Sequence, residues 1–303
     1  MPSPITQRGI LVGIDGSPSS ASALRWAAKD AAMRNVPLHL VHVLPAVVPT
    51  WTAATAVPPM PADVSRWREA DGRQVIADGV KIVEQTPQAQ SHGQPEVTSR
   101  LFYSPTIPTL VDLSKEADML VVGCRGRGAV DRMLLGSVSS GLVHRAHCPV
   151  AVIHDDAESS DERAASAPVV VGIDGSPASE LATAIAFDEA SWRGVRLVAL
   201  HAVSDADLSF GVASMEWSAT MATAEQTLAE RLAGWQERYP DVAVRRAVVA
   251  DRPAGRLLDE AGSAQLVVVG SHGRGGFAGM LLGSVSTAVV SAARTPVIVA
   301  RQH

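Results

Sequence analysis

A glycine-rich stretch with the properties of a phosphate-binding loop occurs twice in this chain. Both copies have the pattern Gly-x2-Gly-x9-Gly-Ser: Gly123, Gly126, Gly136 and Ser137 in the first, and Gly270, Gly273, Gly283 and Ser284 in the second. Glycine permits backbone conformations that aim successive N–H groups at one point. The serine begins a predicted helix, whose unpaired N–H groups and dipole favour an anion. Because the GxxxxGK[ST] pattern of a Walker A loop is absent, the sequence predicts a different kind of phosphate site, one in each copy.

Side chains in and after the loop could add donors and positive charge. Arg127 and Arg274 are placed to neutralise phosphate charge, or else are solvated at the tip of the loop. Hydroxyl groups at two positions of the following helix are further candidate donors: Ser137, Ser139, Ser284 and Ser286. The copies also differ, since the first has Cys124 and Arg125 where the second has Ser271 and His272. The two sites could therefore differ in affinity.

An aspartate ends the first predicted strand of each copy, at Asp15 and Asp174. One interpretation is a cap at the start of the following helix. However, Ser17-Pro18 and Ser176-Pro177 already supply a capping hydroxyl followed by proline at the first helical position. We therefore expect the carboxylate to be free to accept hydrogen bonds from a ligand, for instance from the hydroxyls of a ribose.

The elements that must position these groups are duplicated as well. The string VGIDGSP recurs 159 residues later, and MLLGSVS recurs 147 residues later. Short β-branched strands alternate with helices such as residues 19–34 and 214–238, which indicates two tandem α/β domains, each a doubly wound, Rossmann-like, five-stranded parallel sheet. Ligands of such folds bind beyond the carboxyl ends of the strands, where both motifs fall. The predicted strands are residues 9–14, 38–43, 96–102, 119–123 and 150–153, then 169–173, 196–201, 243–249, 266–270 and 297–300.

The predicted domains cover residues 1–154 and 168–303, with an acidic linker over residues 155–167. As a flexible coil this linker would reach only about 20 Å, which predicts domains that lie side by side. The first copy alone carries a proline-rich stretch, residues 45–62 with Trp51. That stretch is either a solvent-exposed connection or a flap over the ligand of one domain.

Composition argues against several other classes of protein. Hydrophobic residues make up 47% and charged residues 19% of the 303 residues, as in a globular protein. No apolar run approaches the ~20 residues of a membrane span, and no signal sequence is recognisable, so we expect a cytoplasmic protein that does not bind membranes. A net charge of −5 argues against nucleic-acid binding. The two cysteines, Cys124 and Cys148, are interpreted as small buried or half-buried thiols.

With its Ala-rich first helix, the glycine pattern and the strand-end aspartate, the chain resembles the universal stress protein family. The resemblance covers both halves, as in the tandem-domain members common in actinobacteria. It implies the ATP-binding branch of the family and a regulatory role in the stress response, in dormancy or growth control, through an unknown protein partner. It also implies pairing through the last strands, residues 150–153 and 297–300, so that the chain is a pseudo-dimer. A homodimer of the tandem chain is a further possibility.

By position, the resemblance assigns one ATP, with or without Mg²⁺, to each domain. Asp15 and Asp174 would hold the ribose, and the backbone of Val43 and Ala202 would contact adenine. In the first domain the candidate nucleotide-contacting residues are Gly13, Asp15, Val43, Gly123, Cys124, Arg125, Gly126, Arg127, Gly128, Gly136, Ser137, Val138 and Ser139. In the second they are Gly172, Asp174, Ala202, Gly270, Ser271, His272, Gly273, Arg274, Gly275, Gly283, Ser284, Val285 and Ser286.

Two other functions fit the same residues. One is a protein-interaction module gated by cyclic AMP or another nucleotide, and the other is a slow ATP-hydrolysing enzyme. Adenylyl transferases and ATP pyrophosphatases of the wider nucleotide-binding class need HxGH or SGGxDS, and neither string occurs. No catalytic residue and no metal-ligand cluster can be named. His42 and His201, on buried strands, are interpreted as core histidines.

Overall fold

The computed structural model describes residues 8–45, 62–87, 93–126, 135–154, 166–203, 214–274 and 282–301. Several features that the sequence singled out lie outside the described residues. They are most of the proline-rich stretch with Trp51, linker residues 155–165, and three loop residues, Arg127, Gly128 and Gly275.

Strands and helices alternate through both halves of the described chain. The first half contains β1 Ile10–Ile14, α1 Pro18–Arg34, β2 Leu38–Leu44, α2 Ala62–Glu84, β3 Val97–Tyr103, α3 Thr106–Leu113, β4 Met119–Gly123, α4 Ser137–Arg145 and β5 Val150–Ile153. The second half contains β6 Val169–Gly172, α5 Pro177–Arg193, β7 Leu197–Val203, α6 Ser214–Arg238, β8 Val244–Ala250, α7 Pro253–Ala261, β9 Leu266–Gly270, α8 Ser284–Ala292 and β10 Val297–Ala300. All ten predicted strands are confirmed, with ends that differ by at most two residues, as is usual for such boundaries.

The first helix of each domain begins and ends where its sequence dictates. The hydroxyls of Ser17 and Ser176 accept the N–H of the residue three positions on, at 3.1 and 3.2 Å. Proline follows each serine at the first helical position, where no N–H is needed. The helices end at left-handed residues, Asn35 with φ 54° and Gly194 with φ 63°. The same capping scheme therefore orients α1 and α5 on their sheets.

The ten strands form one sheet in the order β3-β2-β1-β4-β5-β10-β9-β6-β7-β8. Pairing is parallel within each domain, whereas β5 and β10 pair antiparallel, with Val152 opposite Val297. This confirms that the last strands pair within the chain. Because the pairing is antiparallel, the carboxyl ends of the two sets of strands lie at opposite edges of the sheet. The strands β5 and β6 are three strand spacings apart, about 14 Å, which is within the reach expected of the linker.

Apolar layers cover both faces of the sheet and run through both domains. One layer packs α1, α2, α5 and α6 on the sheet, and the other packs α3, α4, α7 and α8. Both cysteines are buried, as predicted, and burial raises the pKa of the Cys148 thiol to about 12. Within the described ranges, no helix is long and apolar enough to cross a membrane.

Four charged side chains join α1 to α5 across the seam between the domains. Asp30 and Glu189 are fully buried. Arg193 donates to Asp30 at 2.8 Å and to Glu189 at 2.9 Å, and Arg34 pairs with Asp30 at 2.7 Å and also with Glu189. A tryptophan of the opposite helix lies over each guanidinium, 4.6 and 5.4 Å from the ring centre. We call these four residues the seam quartet.

The pKa values of the two carboxyl groups in the seam quartet are shifted in opposite directions. Burial raises the pKa of Asp30 to about 7, with repulsion from Glu189 adding to the rise and attraction to Arg34 and Arg193 opposing it. Burial also disfavours ionised Glu189, but Arg34 and Arg193 outweigh it and lower the pKa of that carboxyl. The quartet therefore carries its titratable proton on Asp30.

The residue after each domain's last strand caps the last helix of the other domain. Arg301 donates to the carbonyls of Val143 and Ala146 at 2.7 and 3.1 Å, at the end of α4. His154 Nε2 donates to the Val290 carbonyl at 3.0 Å, at the end of α8. Positive charge is favourable at a helix C-terminus. These reciprocal caps tie the domains together beyond the β5–β10 ladder.

Candidate functional site

Each domain brings its two sequence motifs together at the carboxyl edge of its sheet. Strands β1 and β4 are neighbours, and the chain leaves them for opposite faces, since α1 and α4 belong to different apolar layers. Strands β6 and β9 repeat this arrangement with α5 and α8. Such a divergence opens a crevice where ligands of doubly wound sheets bind.

The first glycine of each loop lies directly against the helix that follows the domain's first strand, α1 or α5. A side chain at Gly123 would place its Cβ 2.6 Å from Ser19 Oγ and 2.7 Å from the Ser19 backbone. At Gly270 the added Cβ would lie 2.9 Å from the Ala178 backbone. Glycine is therefore required at these two positions by close approach of the first turns of α1 and α5.

The second glycine lies against the strand-end aspartate. An added Cβ would be 2.7 Å from Asp15 Oδ2 at Gly126, and 2.6 Å from Asp174 Oδ2 at Gly273. Both distances are too short for a real side chain. The two motifs recognised separately in the sequence are thus in direct contact in both domains.

Both strand-end aspartates already accept hydrogen bonds from backbone N–H groups of the chain itself, which the sequence did not predict. The N–H groups of Ser17 and Ser176 donate to Oδ1 of Asp15 and Asp174, each at 2.9 Å. Asp174 Oδ2 also accepts the N–H of Arg274, in the loop, at 3.1 Å. Burial opposes ionisation of Asp174, but hydrogen bonds, chiefly from Ser176 and also from Ser179 and the Arg274 N–H, outweigh it and lower the pKa of the carboxyl. The serine hydroxyl caps the helix, as predicted. In the second domain the carboxylate also accepts a hydrogen bond from the loop.

Uncapped helix starts face the loop. The caps of α4 and α8 are Gly136 and Gly283, and neither offers a side-chain hydrogen bond to the first turn. Their own N–H groups donate to the carbonyl of the second loop residue, at 2.8 and 2.7 Å. The next residues, Ser137 and Ser284, are exposed. The first-turn amides therefore have no side-chain cap, the condition in which a helix N-terminus favours an anion.

Two of the predicted hydroxyl donors have a structural role instead. Ser139 is buried and donates to the Gly123 carbonyl at 2.7 Å, and Ser286 donates to the Gly270 carbonyl at 2.5 Å. Each of these serines thus bonds back to the last residue of the neighbouring strand, β4 or β9. Their hydroxyl protons are committed to the loop rather than to a phosphate. Val138 and Val285, between the serines, pack partly against the apolar layer.

Both strand-two histidines bond to the neighbouring strand through one ring nitrogen, although among the described residues the buried Nε2 of His42 has no hydrogen-bond partner. Nδ1 of His42 donates to the Ile14 carbonyl at 2.7 Å, and Nδ1 of His201 donates to the Ile173 carbonyl at the same distance. These bonds tie the ends of the first two strands together in each domain.

The residues after the histidines extend beyond strand one. The pairing of β1 with β2 ends at Ile14, and Val43 follows its last paired partner. The pairing of β6 with β7 ends at Gly172, and Ala202 lies two residues beyond its partner. The predicted adenine positions thus lie beyond strand one on the crevice side, while both residues are paired with the third strand of their domain. Gly13 and Gly172 lie inside strand one, where added Cβ atoms would meet side chains of α3 and α7 at 3.3 and 3.1 Å, so packing explains them without a ligand.

The sites of the two domains differ in their fixed polar groups. In the first domain the Ser19 hydroxyl accepts the Arg125 N–H at 3.3 Å and lies 3.6 Å from the Cys124 sulfur. The second domain has Ala178 at that position, beside a cavity of about 500 Å³ between α5, the loop and β10. Its lining residues are Ser176, Pro177, Ala178, Leu181, Ser271, His272, Gly273 and Ala300. Sequence reasoning missed Ser19, although the difference between SPSS and SPAS in the two copies signals it.

Metal-ligating side chains are not clustered in the part of the chain that the structure describes. No three His, Cys, Asp or Glu residues there are arranged to hold an ion.

Comparison with known proteins places these features in a family. The model of the universal stress protein family matches residues 7–154 and again residues 166–301. A universal stress protein of Mycobacterium tuberculosis is 57% identical over 305 residues, covering 100% of both chains. A second one from that organism is 56% identical over 294 residues, covering 97% of this chain and 96% of the relative. The crystal structure of a universal stress protein from Archaeoglobus fulgidus shares the fold, with 19% identity, a TM-score of 0.70, and coverage of 99% and 100%.

Proposed function

This chain belongs to the universal stress protein family, and we propose that each of its two domains binds one adenine nucleotide, with ATP as the expected ligand. The observation that carries the proposal is the contact between the strand-end aspartate and the second loop glycine in both domains. This contact brings a hydroxyl-binding carboxylate beside a loop of backbone amides. An uncapped helix start completes the set of donors that a phosphate chain requires.

Binding, rather than rapid turnover, is the activity that these groups support. A general base works best with a pKa near the operating pH. The pKa of Asp174 is lowered instead, because hydrogen bonds stabilise its charged form against burial. His42 is buried with Nδ1 committed to a strand carbonyl. We therefore propose a regulatory nucleotide-binding protein of the stress response, with slow ATP hydrolysis as the alternative.

The ligand can be identified by denaturing the purified protein and analysing the released nucleotide by mass spectrometry. The proposal expects an adenine nucleotide at up to two per chain. Isothermal titration then compares ATP with cyclic AMP, each with and without Mg²⁺. A protein that binds cyclic AMP more tightly than ATP would favour the nucleotide-gated interaction module.

Single substitutions test each site separately. Asp15→Ala and Asp174→Ala should each weaken ATP binding at one site about ten- to a hundredfold, the cost of a lost charged hydrogen bond. Gly126→Val should act on the first site, because its side chain would meet the Asp15 carboxylate. Asp112→Ala is the matched control, since that aspartate is exposed on α3 and forms an ion pair with Lys115 at 2.6 Å. Wild-type stoichiometry and affinity in the Asp15, Asp174 and Gly126 variants would contradict the proposal.

A further inference from the structure

The strand-end carboxylate of the second domain joins segments that are far apart in sequence. Asp174 Oδ1 accepts the N–H of Ser176 in its own turn, while Oδ2 accepts the N–H of Arg274, 100 residues away in the loop. A side-chain Cβ at Gly273 would lie only 2.6 Å from Oδ2. The Ser176 hydroxyl adds a second tie, since it donates to the His272 carbonyl at 3.1 Å. The turn after β6 thus contacts three consecutive residues of the loop, 272 to 274.

The first domain repeats the approach of the carboxylate to the loop. Asp15 Oδ1 accepts the Ser17 N–H at 2.9 Å, and an added Cβ at Gly126 would lie 2.7 Å from Oδ2. A second tie is present here too, but it comes from Ser19, whose hydroxyl accepts the Arg125 N–H at 3.3 Å. The contact is therefore common to both sites, whereas the additional tie differs between them.

Electrostatics makes this placement informative. A carboxylate beside a phosphate loop repels phosphate charge, so its presence there works against binding of the phosphate chain. The pKa of Asp174 is lowered, so the group is ionised at neutral pH. A contribution to phosphate binding from this residue must therefore come from what its oxygens hold in place.

We propose that Asp174, and Asp15 by the equivalent contact, is a positioning residue that fixes the phosphate loop for anion binding. The inference rests on the proposed nucleotide function and deepens it, because one carboxylate then serves both the ribose and the loop. Nucleoside recognition and phosphate recognition are coupled in each domain through that group.

Inorganic tripolyphosphate is the probe that separates positioning from simple charge. It has no ribose, so it cannot use Asp174 as a ligand. If the carboxylate acted only by its charge, Asp174→Asn would strengthen tripolyphosphate binding to the second domain. If it positions the loop, the same substitution weakens that binding about ten- to a hundredfold, because asparagine has one acceptor oxygen for two N–H donors. Unchanged or tighter binding, measured by calorimetry on the full chain, overturns the proposal.

Amide hydrogen exchange gives a readout that does not depend on any ligand. Asp174→Asn should accelerate exchange at Arg274 about tenfold or more, without changing the amides of residues 124–126 in the first domain. Asp15→Asn should affect residues 124–126 and leave Arg274 unchanged, so each domain is the control for the other. Equal exchange at Arg274 in wild type and Asp174→Asn overturns the positioning role.

A double substitution tests whether Gly273 and Asp174 act through one contact. Gly273→Ala should accelerate loop exchange in the wild type, because its Cβ meets the carboxylate. In an Asp174→Ala background the same change should add little, because the obstructing oxygen is gone. Additive effects contradict the proposed contact. If the wild-type chain binds neither ATP nor tripolyphosphate, the proposed function fails, and the exchange results still decide the positioning role.

Discussion

Replacing Asp30 in the seam quartet by asparagine should remove a pH dependence from the stability of the protein. The pKa of this carboxyl is about 7 in the folded chain and 3.8 as its ordinary value. Between about pH 4 and pH 7 the folded protein therefore keeps a proton that the unfolded chain has lost. The stability that this group contributes is fully present below about pH 4 and is lost progressively as the pH rises to the folded pKa of about 7. One pKa unit corresponds to about 1.36 kcal/mol, so the shift of roughly three units sets an upper limit of about 4 kcal/mol.

Asparagine has the shape of protonated aspartate and carries no titratable proton. Asp30→Asn should therefore resemble the wild type near pH 4, gain on it steadily as the pH rises, and be the more stable protein at pH 8 by up to about 4 kcal/mol. Urea unfolding followed by tryptophan fluorescence measures this directly, because Trp26 and Trp192 lie over the guanidinium groups of the quartet. Asp78→Asn is the control, since Asp78 is exposed on α2 and its pKa is lowered by hydrogen bonds from Gln74 and Lys81.

Glu189, the other carboxyl of the seam quartet, should give stability the opposite pH dependence. The pKa of Glu189 is lowered against burial by Arg34 and Arg193, so its contribution is present above its ordinary pKa of 4.5 and is lost as the pH falls through the folded value. Glu189→Gln should cost about 3–5 kcal/mol at neutral pH, because it leaves buried positive charge uncompensated. A constant stability difference between Asp30→Asn and wild type from pH 5 to pH 8 would refute this account of the quartet.

Three further predictions concern the seam and the loops. Arg301→Ala should lower the urea midpoint by removing two charged hydrogen bonds to the end of α4, at a cost of about 1.5–3 kcal/mol, whereas Arg301→Lys should recover part of it. Gly123→Ala should destabilise the first domain by about 1–3 kcal/mol, since its Cβ would meet Ser19 at 2.6 Å; an unchanged melting temperature would contradict the close packing. Arg252 has φ 53°, in the left-handed region. Arg252→Gly should relieve part of a backbone strain of roughly 1–2 kcal/mol, so the urea midpoint should stay equal or rise. A clear fall of the midpoint would show that contacts of the Arg252 side chain outweigh the backbone strain.

Much of the fold follows from local patterns in the sequence. The inner strands are short runs rich in Val, Ile and Leu that are largely buried on both faces, and one of them, Met119–Gly123, was predicted to the residue. The edge strands β3 and β8 are partly exposed. The two repeated strings, VGIDGSP and MLLGSVS, established two copies. The serine-proline pairs established where α1 and α5 begin, and the capping geometry confirms them.

Contacts between distant segments could be predicted only in part. The aspartate was expected to be free because the serine beside it satisfies the helix, but its bond to Arg274 depends on how a loop 100 residues away folds back. The seam quartet was missed for the same reason. Its signal was nevertheless present, since Asp30-x3-Arg34 and Glu189-x3-Arg193 are separated by the same 159 residues as the first repeated string. When an acidic and a basic residue four positions apart recur at the same place in both copies, they indicate a contact between the helices that carry them.

Pairing β5 with β10 inside one chain has a consequence for how the protein can change over generations. Two identical subunits joined through that edge would be encoded once, so every mutation would alter both crevices together. Here each crevice has its own stretch of coding sequence, and substitutions such as cysteine at 124 against serine at 271 alter one without the other. The covalent connection also keeps the two halves at a high effective concentration, so their association does not depend on how much protein the cell contains. The pair can therefore specialise while remaining assembled at any expression level.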